Sequence, residues 1–103
     1  MLLSANQRIR TVTDLDSIHN YYESLVLDAI QQTIPNRLDD GNYIADVACV
    51  ALNHLPPRYI RYSVDMAFYL SPGERQEMLD KVQEAVDLAI SLVDTSPAHS
   101  ASE

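Results

Sequence analysis

Two consecutive prolines, Pro56 and Pro57, constrain the fold of this chain more than any other pair of its residues. Each fixes φ near about −65°, lacks an amide hydrogen and pushes the preceding residue away from helical geometry. The apolar helical pattern that runs up to Leu55 therefore cannot continue into Arg58. The next residues, Arg58-Tyr59-Ile60-Arg61-Tyr62, are carried on a stiff, extended strut with two arginines and two tyrosines side by side. Such a cluster suits a planar, anionic ligand.

The cluster is unusual because the chain is acidic, with a formal charge of −8 from 15 acidic and 7 basic residues. That balance argues against non-specific binding to DNA or to anionic membranes. The basic residues are concentrated in two places. Residues 1–13 carry Arg8 and Arg10 and no acid, and residues 58–71 carry Arg58 and Arg61 against Asp65. If the two islands meet, they make a local anion site on a protein that otherwise repels anions.

At 103 residues the chain makes one domain with a modest core. A core of that size gains from burying one face against a second copy, so a homodimer is expected. The expected architecture is all-α: three main helices plus a short helical or extended segment after Pro57. Residues 1–13 read as a flexible arm, 14–94 as the helical domain and 95–103 as a disordered tail.

Within the domain, Asp14-Leu15-Asp16-Ser17 offers capping oxygens and acids for a helix start. Ile18, Tyr21, Tyr22, Leu25, Val26, Ala29 and Ile30 then recur at helical spacing until Pro35. After the turn chemistry of Asp39-Asp40-Gly41, a second apolar face runs through Ile44, Val47, Ala48, Ala51, Leu52 and Leu55. Residues 58–70 carry two patterns at once. Ile60, Tyr62, Val64, Met66, Phe68 and Leu70 alternate like a strand, whereas Ile60, Val64, Ala67 and Phe68 fit a helix with Ser63 as its cap. An extended Arg58–Tyr62 leading into a short helix from Val64 is expected. A strand would need a partner, and none is evident elsewhere in the chain, which leaves pairing across a dimer interface as the alternative. Ser71-Pro72-Gly73-Glu74 is a capping box with proline at the first helical position. The stripe that follows is Met78, Val82, Ala85, Val86, Ala89, Ile90 and Val93.

Nucleotide recognition by Arg58, Tyr59, Arg61 and Tyr62 is the leading functional reading. Guanidinium forks pair with phosphate or with guanine O6 and N7, and aromatic or guanidinium planes stack on bases. The alternative is that the arginines bridge to surface acids and the tyrosines pack. Arg8 and Arg10 either fold over the ligand or belong to a solvated terminus. His19, His54 and His99 do not form a metal set, and a solvent-facing or capping role is expected for them. Cys49 lies within an apolar helical pattern and reads as a buried thiol, not a nucleophile. As the single cysteine it excludes an intramolecular disulfide and a zinc site built from several cysteines. Tyr21, Tyr22 and Tyr43 read as core or interface residues. With only Gly41 and Gly73 there is no glycine-rich phosphate loop. The chain is not expected to be an enzyme, and no cofactor is expected. No stretch has the length of a membrane span, and Met1-Leu2-Leu3-Ser4-Ala5 is too short for a signal peptide, so a cytoplasmic protein is expected.

The stretch from Asp46 through Asn53-His54-Leu55-Pro56-Pro57-Arg58-Tyr59-Ile60 resembles the signature of the late competence development ComFB family. Asn20-Tyr21-Tyr22-Glu23, with Leu25 and Val26, resembles that family's N-terminal helix, and Tyr62 through Met78 is most similar to cyanobacterial members. The likeness covers residues 14–94. It implies a small helical homodimer and, for the cyanobacterial branch, a receptor for a cyclic dinucleotide, cyclic di-GMP or cyclic di-AMP or both. It also implies a link to natural competence, pili or cell size through a protein partner such as a transcription regulator. Some members carry a zinc-binding cysteine cluster, which the lone Cys49 cannot reproduce. Two phosphates, two purines and two-fold symmetry suit a ligand on a dimer axis or one copy per protomer. On chemical grounds Arg58 and Arg61 are assigned to phosphate or purine edge, Tyr59 or Tyr62 to stacking, and Arg8 and Arg10 to closing the site. A ligand-free adaptor of a DNA-uptake or pilus system is the alternative function.

Overall fold

A computed structural model describes residues 15–62 and 64–96 of the chain. Along it run β1 (His19–Asn20), α1 (Tyr22–Thr33), a 3-10 turn (Pro35–Arg37), α2 (Gly41–Asn53), β2 (Tyr59–Ile60), α3 (Val64–Tyr69) and α4 (Pro72–Asp94). The architecture is helical, and three long helices and one short one run between Tyr22 and Asp94.

The backbone of the fold is α4, and its start is set locally. Ser71 Oγ accepts from the Glu74 amide at 3.1 Å, and Glu74 Oε1 accepts from the Ser71 amide at 3.0 Å. Together they satisfy two donors that a helix start would otherwise leave open. Met78, Val82, Ala85, Val86, Ala89 and Val93 are then buried along one stripe. Both α1 and α2 pack against α4 and against each other. They contribute Tyr22, Val26 and Ile30 from one helix and Tyr43, Val47 and Ala51 from the other. Val26, Ile30, Val47, Val82 and Val86 are at most 1% exposed. Each such side chain contributes about 1.5–3 kcal/mol by leaving water.

The start of α2 is capped by Asp40, whose Oδ1 accepts from the Tyr43 amide at 3.1 Å. The helix ends at Asn53 before the prolines, with Leu55 buried between them. Beyond Pro57 the chain is extended through β2 and then helical in α3, the order expected for residues 58–70.

Four expectations need correction. The helix that carries Val26 and Ile30 begins only at Tyr22, and His19 and Asn20 form a strand antiparallel to Tyr59–Ile60, with His19 opposite Ile60 and Asn20 opposite Tyr59. The partner of the strut is therefore in the same chain. The ladder claims the backbone that an earlier helix start would use, and Asn20 Oδ1 accepts from the Tyr22 amide at 3.2 Å. Asp16 and Ser17 precede this strand, Ile18 is 49% exposed instead of facing the core, and His19 stands on β1 instead of a helix. Second, Val64 and Phe68 face outward on α3, because Met66 takes the inward position. Third, Cys49 is exposed. Val47 and Ala51 hold the buried side of α2, and a residue midway between them falls on the opposite side. Fourth, Thr95 continues the structure as the cap of α4, with its hydroxyl donating to the Ser91 carbonyl at 3.0 Å. The arm of residues 1–13, the Asp14 and Ser63 caps and the tail from residue 97 lie outside the described residues.

Candidate functional site

The strut is held by an unrelated part of the chain. The Arg58 amide donates to Asn20 Oδ1 at 2.9 Å, and the Arg58 carbonyl accepts from the Tyr21 amide at 2.7 Å. Asn20 thus serves the start of α1 and the backbone of Arg58 with one oxygen. The main chain at Arg58 is fixed on both sides while its side chain stays exposed.

The two arginines do not turn to the same place. Arg58 lines a cleft of about 280 Å³ between the strut and α4, with Tyr22, Pro57, Leu70, Met78 and the charged Glu74, Glu77 and Lys81. Glu74 is held below the ordinary carboxylate range by the Ser71 backbone and side-chain hydrogen bonds, with a smaller contribution from the charge of Arg58. Arg61 turns instead to the segment before β1. Its Nε donates to Ser17 Oγ at 3.0 Å, and its guanidinium carbon stands 5.0 Å from the centre of the Tyr62 ring. That separation is within cation–π range.

Neither arginine forms an ion pair among the described residues, where the recorded pair is Arg37 with Asp40 at 3.6 Å. Among the described residues, then, neither is bridged to a surface acid. Nor are the tyrosines of the strut packed away, since Tyr59 is 68% and Tyr62 52% exposed. The other tyrosines singled out earlier, Tyr21, Tyr22 and Tyr43, are buried in the core. Arg8 and Arg10 lie outside the described residues.

The structure adds residues that sequence reasoning missed. Ser17 and Asn20 bind the strut from about forty residues away, and Lys81 brings a further cation to the Arg58 cleft. No local signal marks them, because each reaches the site through tertiary pairing. Phe68 and Tyr69, at 81% and 74% exposure, extend the exposed aromatic surface onto α3. His54 Nδ1 donates to the Val50 carbonyl at 2.8 Å and His19 Nδ1 to the Ser17 carbonyl at 2.9 Å, so both rings serve local backbone. Among the described residues no three His, Cys, Asp or Glu side chains gather as a metal site, and no helix is long and apolar enough to cross a membrane.

The arrangement offers two exposed cations with aromatic neighbours on a rigid backbone, which is chemistry for binding an anion with flat groups. Compared with known families, residues 19–97 match the model described as late competence development protein ComFB. No curated protein and no solved structure matches the chain.

Proposed function

The chain belongs to the late competence development ComFB family, and we propose that it is a receptor for a cyclic dinucleotide, cyclic di-GMP or cyclic di-AMP. The observation that carries this reading is Arg61, exposed, free of carboxylate partners among the described residues and held over the Tyr62 ring. Arg58, on the other side of the strut, supplies a second cation for a ligand with two phosphates. In this reading the protein is a cytoplasmic homodimer without catalytic activity or cofactor. Ligand binding changes a surface read by a protein partner, such as a transcription regulator of competence, pili or cell size. For a signal to pass, the ligand must bind one state of that surface better than another.

A second reading, a ligand-free adaptor in a DNA-uptake or pilus system, is favoured by the exposed Val64, Phe68 and Tyr69 of α3. A thermal-shift screen against cyclic di-GMP, cyclic di-AMP, linear dinucleotides and ATP separates the two. A receptor gains stability by mass action, about 10 °C or more at roughly one hundred times Kd for a domain of this size. No response to either cyclic dinucleotide overturns the receptor reading in favour of the adaptor.

A further inference from the structure

We propose that Ser17 is the positioning residue of Arg61, so that a ligand meets a guanidinium already aimed; this rests on the receptor reading above. Ser17 Oγ holds Nε at 3.0 Å, and the Tyr62 ring lies 5.0 Å from the guanidinium carbon. The Nε edge is thereby held, with an aromatic ring within cation–π range. Among the described residues the two Nη groups have neither an ion-pair nor a hydrogen-bond partner. They leave the end of the fork to a phosphate or a purine edge.

Both ends of this bond are anchored to the same ladder. Ser17 stands on the turn before β1, where its carbonyl accepts from His19 Nδ1 at 2.9 Å. His19 pairs with Ile60, the neighbour of Arg61. The spacing of the two side chains is therefore set by backbone pairing. An arginine free in solvent gives up much of its rotamer freedom when it binds, whereas one already tethered has less to lose. Ser17 also precedes the stretch that matches the family, which begins at His19.

The test is isothermal titration of cyclic di-GMP and cyclic di-AMP into the full chain, Ser17→Ala and Ser17→Thr, with the melting temperature and the Arg61 Nε–H resonance recorded for each. Ser17→Ala is expected to bind about three- to tenfold more weakly, the scale of re-immobilising one long side chain. Its Nε–H resonance should move toward that of a solvated arginine while the melting temperature holds. Ser17→Thr keeps the hydroxyl and should restore both affinity and resonance. Undiminished binding by Ser17→Ala, in a parent that does bind, overturns the positioning role alone. Equal weakening in both variants with a parallel fall in melting temperature assigns Ser17 to folding and also overturns it. A parent chain that binds neither dinucleotide overturns the receptor reading, and this inference with it.

Discussion

The Tyr43 hydroxyl donates to Asp94 Oδ1 at 2.6 Å, joining the first turn of α2 to the last turn of α4. Tyr43 is 1% exposed, and the Arg37 guanidinium covers its ring at 3.6 Å. Removing the hydroxyl should cost about 1–2 kcal/mol, since the bond is to a carboxylate while Asp94 stays open to water. Tyr43→Phe is expected to fold normally and melt about 5–10 °C lower. A melting temperature equal to the parent's would mean that the contact contributes nothing net.

The same bond makes stability pH-dependent at the alkaline end. Burial, then the Asp94 hydrogen bond and charge, push the Tyr43 hydroxyl up from 10.0 to about 12. A raised folded-state value favours the protonated form in the native protein. Its contribution is therefore complete below pH 10.0 and is lost as pH climbs toward about 12. Denaturant titrations across that window should show the parent losing its advantage over Tyr43→Phe. A gap that stays constant with pH contradicts the assignment.

The reciprocal cap of α4 gives a second stability test. Ser71→Ala removes the oxygen that serves the Glu74 amide and should cost about 1 kcal/mol. Glu74 is depressed chiefly by the Ser71 hydrogen bonds, so its contribution is present above the unfolded-state value and lost as pH falls through the folded-state one. Glu74→Gln should flatten the acid limb of the stability profile relative to the parent, as measured by urea unfolding between neutral and acid pH. An identical acid limb would remove Glu74 from the account.

Cys49 offers a test of the fold that needs no ligand. Because it is exposed on α2, a thiol reagent should modify it in the native protein without added denaturant. Protection that yields only to denaturant would place the residue back in the core and contradict the orientation of α2.

The parts of the fold legible in the sequence are those whose causes are local. The Ser71–Glu74 box and the stripe from Met78 to Val93 lie within one helix, and α4 follows them closely. The Pro56-Pro57 break likewise separates α2 from an extended segment, as expected, although the pairing of that segment as β2 is not local. Less legible is chemistry with two uses. Ser17 sat in a capping signal and Asn20 in a helical run, yet both bind the strut. Their pairing with residues 58–61 depends on α1 and α2 bringing distant segments together, which no window of sequence contains. On α2, small residues on both sides of the helix blur its inward face, and the apolar pattern alone does not tell that Cys49 lies on the exposed side. Arg58 and Arg61 were visible as residue types, but only the ladder reveals that one enters the α4 cleft and the other turns to Ser17.

The central claim is that these two arginines hold a cyclic dinucleotide, and isothermal titration of cyclic di-GMP and cyclic di-AMP into the parent, Arg58→Ala and Arg61→Ala tests it most directly. Losing a charge-assisted contact should weaken binding by about 10- to 100-fold in each variant. Both side chains are exposed and outside the core, so melting temperatures should stay at the parent value. Affinity unchanged in both variants, measured against a parent that binds, would contradict the assignment.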